Sequence, residues 1–341
     1  MNDHGLLAAR RAIFTPNGDT MIRLFSALAL VAISFVNPIA ASAQGYPNKP
    51  IRVLVGYAPG GGSDIIARLV AQNLQTKLGQ PVVVENRPGA GGNLAIDLVA
   101  KARPDGYTLL VTPNTFTMAP ALFSKLPFDV VKDFAGVGII ATSPMVVIVN
   151  PQVPISSVAE LIRYAKANPG KLSYSTPGIG TPQHLGTELF KAMTATDIVH
   201  IPYKGGAPAV AAVVSNEVPL SFAAINSAKP FIDAGRVRAV ATSEVKPYSQ
   251  LGLPTVGATV PGYDVGIWYG VVVPAGTPKP IIDRLNAELV AMVQIPDVKE
   301  QMAKQGYESA VAPPAEMESQ IRSEVEKWVR AGKKAGVKQE D

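Results

Sequence analysis

The chain is 341 residues long and contains no cysteine, which excludes a disulfide framework, thiolate chemistry and a cysteine-ligated metal site. Its formal charge is +5 at pH 7, and 6% of its residues are aromatic. The basic residues are spread out rather than run together, which argues against nucleic-acid binding and suits a small anionic ligand.

The N-terminal segment reads as a targeting signal. From Met21 the chain runs MIRLFSALALVAISFVNPIAASA, with Arg23 ahead of an apolar stretch over 24–36. Ala41, Ser42 and Ala43 then supply the small residues of a cleavage site, so residues 1–43 are expected to be removed and Gln44 to start an exported, periplasmic protein. A membrane anchor is the alternative, but the apolar stretch is shorter than the roughly 18–20 residues that a spanning helix needs. With no cysteine after it, a lipoprotein anchor is excluded. Arg10 and Arg11 make a weak twin-arginine match, because Pro16, Asn17, Gly18 and Asp19 part them from the apolar core.

Beyond residue 43, short apolar runs alternate with helical patterns, the signature of an α/β fold. Strands are expected at 51–57, 82–85, 108–111, 145–150, 172–175, 220–224, 237–241 and 270–273. Ile65, Ile66, Leu69, Val70, Leu74 and Leu78 share one face of a helix that starts near Asp64. Asn93 is read as the cap of the next helix. Ser157 and Glu160 form a capping box, and Thr277 with Pro278 reads as an N-cap and first helical residue. Extended segments near 140–150 and 262–273 read as crossings between two lobes. One lobe would then comprise 44–143 plus 264–341, and the other 144–263.

Glycine-rich loops at strand ends carry the functional signal. The first, YAPGGGSDIIAR, follows the strand at 51–57. Gly60, Gly61 and Gly62 let backbone N–H groups approach a ligand, and the helix behind them favours an anion. Gly61 is read as the position where a side chain would do most harm. Ser63 and Asp64 could each cap that helix, and Asp64 could also touch a ligand. The loop lacks the lysine of a phosphate-binding P-loop and does not match a nucleophile elbow.

The second loop, YSTPGIGTPQH, offers hydroxyls from Ser175, Thr176 and Thr181 and backbone N–H groups at Gly178 and Gly180. His184 closes it, as a ligand contact or as a locally satisfied histidine. The third, IPYKGGA, brings Tyr203 as a wall and Lys204 as a counter-charge for a carboxylate, ahead of Gly205. A fourth cluster, RPGAGGN, reads as a structural turn at the site's rim. His184 and His200 are the only histidines after the leader, so neither a metal site nor a hydrolase triad can be built from the sequence. Recognition rather than chemistry is expected, with no metal and no cofactor.

In order and spacing, YAPGGGSDIIAR, VVVENRPGAGGN, ARPDGYTLL, YSTPGIGTPQHL, HIPYKGGAPA and WYGVVVPAGTP resemble the substrate-binding proteins of tripartite tricarboxylate transporters, the Bug-type receptors. The resemblance covers nearly all of the chain after Tyr46. It implies a periplasmic binding protein of the second type, a Venus flytrap whose two α/β lobes close on a small carboxylate. It also implies a monomer that delivers its ligand to a membrane permease with large and small subunits. A receptor feeding a sensor kinase is the alternative, and a periplasmic hydrolase a remote one.

Carried over residue by residue, the family's contacts fall on Tyr57, Pro59, Gly60, Gly61, Gly62, Ser63 and Asp64 in one lobe. In the other they fall on Ser175, Thr176, Gly178, Gly180, Thr181, His184, Tyr203, Lys204 and Gly205. Thr112, Asn114, Thr142, Ser143 and Ala224 are further wall positions implied by the resemblance. The chain departs from the family pattern at SNEVPLSF, where Pro219 stands in place of an acidic residue and points to a different distal pocket.

Overall fold

The computed structural model describes residues 45–244, 248 and 251–335. The expected leader over 1–43 and the start at Gln44 lie outside the described residues. From Pro47 onward the chain forms one compact unit, and it is built on two separate sheets.

In chain order the first part holds β1 (Ile51–Val55), α1 (Gly62–Leu78), β2 (Val82–Asn86), α2 (Asn93–Ala100), β3 (Thr108–Pro113), α3 (Thr115–Leu122) and β4 (Phe134–Ser143). There follow β5 (Met145–Val149), α4 (Val158–Ala167), β6 (Leu172–Thr176), α5 (Pro182–Thr194), β7 (Ile198–Pro202), α6 (Gly206–Val214), β8 (Leu220–Ala224), α7 (Ile225–Asp233) and β9 (Arg238–Thr242). The chain ends with β10 (Ile267–Pro274), α8 (Lys279–Met292), α9 (Pro296–Lys304), β11 (Glu308–Ala312) and α10 (Pro314–Ala335).

The first sheet runs β11-β4-β10-β3-β1-β2, and the second β7-β6-β8-β5-β9. In the first, β1 is parallel to β2 and β3, while β10 runs antiparallel to β3 and β4. In the second, β6 is parallel to β7 and β8, while β5 runs antiparallel to β8 and β9. Each sheet therefore has one strand, β1 or β6, flanked by parallel neighbours reached in opposite directions. The carboxyl ends of such strands are where open α/β sheets bind ligands. Both of the first two glycine loops start there.

The strands are short apolar runs because helices cover them. Leu54, Leu110, Phe116, Phe134, Val272 and Met317 belong to the core of the first lobe, with Phe116 and Phe134 edge to face at 5.0 Å. Val146, Ile148, Val210, Val213, Ala223 and Ile225 belong to the core of the second. Burying each such aliphatic side chain contributes about 1.5–3 kcal/mol.

The chain passes from the first sheet to the second at Pro144 and returns between β9 and β10. Ser243 ties the two passages together. Its N–H donates to Met145 O at 2.9 Å and its hydroxyl to Val265 O at 2.5 Å.

Several local expectations need correction. β4, β7 and β11 escape the pattern reading: β4 contains Gly136 and Gly138, and β7 and β11 are sheet edges. The glycines of β4 make room for other elements, since a Cβ at Gly136 would lie 3.2 Å from Met317 and one at Gly138 2.9 Å from Asn286. Asn93 is the first residue of α2, not its cap; Gly92 caps it at φ 101°, which favours glycine. Pro278 rather than Thr277 caps α8, and the Thr277 hydroxyl donates to Pro274 O instead. Ser157 does cap α4, accepting the Glu160 N–H at 3.1 Å, but the Glu160 carboxylate accepts from Ser156 rather than closing the box on Ser157.

Candidate functional site

The N-cap of α1 is Gly61, with no side-chain cap. Ser63 and Asp64 therefore lie inside the first turn, and neither caps it. An α-helix leaves its first N–H groups without intrahelical partners. Here the Gly61 N–H turns back to Ala58 O at 3.4 Å and the first intrahelical bond is Ile65 N–H to Gly61 O. The N–H groups of Gly62, Ser63 and Asp64 are left to face whatever lies beyond the helix end.

The Asp64 carboxylate is occupied by the protein itself. It accepts the Gly60 N–H at 2.9 Å, Arg68 Nε at 2.9 Å and Asn86 Nδ2 at 3.0 Å. Asn86 Nδ2 also reaches Tyr57 O at 3.0 Å. Burial alone would raise the carboxyl's pKa, but the three donors together hold it below the usual range. Asp64 thus scaffolds the loop that the helix presents.

The three glycines differ in what they require. Gly60 has φ +81°. Gly61 has an ordinary φ of −80°, and a Cβ there would meet nothing closer than Ala58 O at 3.4 Å. At Gly62 a Cβ would fall 2.6 Å from the Tyr269 hydroxyl and 2.8 Å from the Tyr307 hydroxyl. The sterically obligatory glycine is Gly62, not the expected Gly61.

Tyr269 and Tyr307 are residues the loop reading missed. They come from β10 and from the turn before β11, pack edge to face at 5.4 Å, and bring their hydroxyls to the start of α1. Burial raises both phenols, Tyr307 to about 12, so both stay neutral hydrogen-bonding groups. Tyr57 is likewise raised to about 12 by burial, and its hydroxyl lies 2.5 Å from Thr115 Oγ1 and donates to Gly91 O at 3.0 Å. The RPGAGGN loop is thereby fixed against the first loop, with Gly56 packed on Gly92.

From the second lobe, Asn226 Nδ2 donates to the Tyr307 hydroxyl at 3.1 Å. A Cβ at Gly306 would lie 2.8 Å from Ile225 and 3.2 Å from Asn226 N. Asn226 Oδ1 is buried without a partner. Ser227, next along α7, sits against Gly206 at the start of α6. The starts of α1 and α7 are therefore linked through Tyr307 and Asn226, and those of α7 and α6 through Ser227.

The second and third loops are bonded to each other: Tyr203 N–H donates to Thr176 O at 2.9 Å, and Gly205 N–H to Pro177 O at 3.0 Å. Gly178, Gly180 and Gly205 have φ of 142°, 84° and 125°. Thr181 caps α5 by accepting the His184 N–H at 3.3 Å. Ser175 is buried, with its hydroxyl on Ala209 O at 2.8 Å. The Tyr203 hydroxyl bonds Glu217 at 2.8 Å, and Lys204 is exposed.

His184 and His200 stack with ring centroids 4.2 Å apart, and Tyr174 stacks on His200 at 4.9 Å. His184 Nδ1 accepts the Gly180 N–H at 3.4 Å, and His200 Nε2 lies 2.7 Å from Thr176 Oγ1. Burial lowers the pKa of both rings, that of His200 to about 4 with the help of His184, so the pair is neutral at pH 7 and braces the loop.

The remaining wall positions scatter. Thr112 bonds Pro113 O at 3.0 Å, Ser143 is fully buried near Gly306, and Ala224 caps α7. Pro59 is exposed at the tip of the first loop. Asn114 and Thr142 line a different cavity, against α10. Among the described residues no cluster of His, Asp and Glu is placed to hold a metal ion, and no helix is long and apolar enough to cross a membrane. At the start of α1, backbone N–H groups stand beside the neutral hydroxyls of Tyr269 and Tyr307, an arrangement suited to holding an anion.

Known proteins agree in kind. Residues 66–337 match the model of the tripartite tricarboxylate transporter family receptor. Protein BugT of Bordetella pertussis is 33% identical over 322 residues, covering 93% of this chain and 99% of that protein. The structure of R. palustris Rpa4515 with adipate is similar at a TM-score of 0.80 and 33% identity, covering 86% of this chain and all of that one. That of periplasmic binding protein BugD is similar at 0.78 and 34%, covering 86% and 100%.

Proposed function

The chain belongs to the tripartite tricarboxylate transporter receptor family, and from that premise we propose that it captures a small carboxylate between its lobes for delivery to a membrane permease. A dicarboxylate is the leading ligand class. The observation that carries this reading is the start of α1, where the N–H groups of Gly62, Ser63 and Asp64 stand beside the hydroxyls of Tyr269 and Tyr307. Orphan helix donors and neutral hydroxyls favour a carboxylate without any cation in contact with it.

The loops at 176–181 and 203–206, with Asn226, would take the other side of the ligand. The closing bodies are then 44–143 with 264–341 and 144–263, moving about the passages stitched by Ser243. The similarity to a protein solved with adipate supports a dicarboxylate, and the likeness to a periplasmic binding protein supports action in the periplasm. A permease of one large and one small subunit is the partner that the family's name and type imply.

A thermal-shift panel of dicarboxylates, tricarboxylates and aromatic acids tests the reading. A ligand at a hundred times its Kd stabilises the fold by about 2.7 kcal/mol. A melting temperature moved by neutral sugars and by no acid would overturn it.

A further inference from the structure

The second loop is closed by two hydroxyls and an imidazole. Thr176 Oγ1 accepts the Gly178 N–H at 3.2 Å, the Thr181 hydroxyl donates to Gly178 O at 2.8 Å, and the Gly180 N–H donates to His184 Nδ1 at 3.4 Å. Gly180 is buried, so its N–H needs an acceptor, and this ring nitrogen supplies it.

A neutral imidazole offers one acceptor nitrogen. At His184 that nitrogen is Nδ1, which places the ring proton on Nε2. A second proton would set two donors against each other at Gly180. His200 differs, because the Thr176 hydroxyl, 2.7 Å from its Nε2, can donate or accept by turning. The sensitive ring is His184.

Gly180 also meets the opposite lobe: a Cβ there would lie 3.3 Å from Leu122 Cδ1, at the end of α3. The third loop hangs from the same segment, through Thr176 O and Pro177 O. One ring nitrogen therefore holds the point where the second loop touches the first lobe.

The charges that act on His184 come from α5 itself: Glu188 eases its protonation and Lys191 opposes it, and the two pair at 2.7 Å. From β6, Tyr174 donates its hydroxyl to Glu188 at 2.6 Å; from β7, His200 stacks at 4.2 Å. The end of α3 presents the apolar Leu122, β8 carries no titratable residue, and Lys204 of the third loop is exposed. Among the described residues, α10 packs on α5 without a charged group acting on the ring.

We propose that His184 is a positioning residue for ligand binding, holding Gly180 only while Nδ1 is unprotonated, so that acidification loosens the second loop and releases the ligand. The release rests on the carboxylate reading; the loosening does not.

His184→Asn places a non-titrating acceptor where Nδ1 stands. Calorimetry with adipate is run on the chain after residue 43 and on this variant, at pH 7 and at about pH 4.5; protonation of adipate itself is common to both and cancels. The parent should lose roughly fivefold more affinity than the variant over that range. In the ligand-free parent, the Gly180 amide resonance should shift with the same midpoint as the His184 ring. Equal affinity losses in two folded proteins overturn the proposal, as does a Gly180 amide that does not follow the ring, a test that stands even where the variant fails to fold. Absence of adipate binding at pH 7 overturns the dicarboxylate reading and the release with it, while the amide titration still decides whether the ring holds the loop.

Discussion

The Asp64 carboxylate accepts the Gly60 backbone N–H at 2.9 Å, reaching back over the start of the helix that carries it. With Asn86 and Arg68 on its other lone pairs, the group is consumed by the loop and 2% exposed. Asp64→Ala should therefore destabilise the fold by about 1–3 kcal/mol, the cost of leaving buried partners unmade, and weaken carboxylate binding as the loop loosens. Arg68 is mostly exposed and its ion pair is screened by solvent, so Arg68→Ala should cost much less than Asp64→Ala. Urea denaturation and calorimetry on both variants check this. Equal effects would mean that the ion pair, and not the loop contact, is what Asp64 is for.

The glycines of the same loop should rank by geometry. Gly61→Ala is expected to be tolerated, because its φ is ordinary and its surroundings are open. Gly60→Ala meets a positive φ and should cost roughly 1–2 kcal/mol. Gly62→Ala drives a methyl into the Tyr269 and Tyr307 hydroxyls and should remove binding most completely. Calorimetric titration of the three folded variants with the best acid from the thermal panel gives the order. A Gly61 variant worse than Gly62 would overturn it.

What the sequence disclosed and what it hid divide along chain separation. The glycine loops after β1, β6 and β7 are visible because strand, turn and helix follow one another within a few residues. Tyr269 and Tyr307 are not, because they reach Gly62 only through sheet order: β10 and β11 belong to the first sheet although they come last in the chain; Asn226 is hidden likewise, since it meets only Tyr307, 81 residues on. The side-chain caps expected at Asp64, Asn93 and Thr277 were displaced by glycine or proline backbone. Local pattern names residues able to cap, whereas the fold decides which backbone needs it. Ser175 and Tyr203 show the same limit, since their hydroxyls are spent on Ala209 O and on Glu217.

The stacked histidines give a pH dependence with a definite sign. Burial lowers both folded pKa values below the ordinary 6.5, that of His200 to about 4. The unfolded chain therefore takes up protons first as pH falls, and stability is lost from about pH 6.5 down to about pH 4, levelling off below. Protonating His184 Nδ1 also replaces the acceptor of the Gly180 N–H with a donor. Glu188 eases and Lys191 opposes this protonation. In melting curves against pH, His200→Gln should flatten the slope between pH 6.5 and 4 relative to the parent chain. An unchanged slope would put the acid sensitivity elsewhere.

The bond from Asn226 to Tyr307 joins α7 of the second lobe to the turn before β11 of the first. Tyr307 also stands over Gly62, so one phenol touches the start of α1 and the opposite lobe together. Tyr307→Phe keeps the ring and its packing on Tyr269 but removes the hydroxyl, leaving the Asn226 carboxamide with neither oxygen nor nitrogen satisfied. The expected loss is about 0.5–1.5 kcal/mol in ligand affinity for a neutral hydrogen bond, that is, up to about tenfold in Kd. Asn226→Ala removes the other end of the same bond, so the double variant should be little worse than either single one. Calorimetric Kd values for the four proteins close that cycle. Fully additive losses would show that the two residues act on the ligand separately, and that their contact does not couple the lobes.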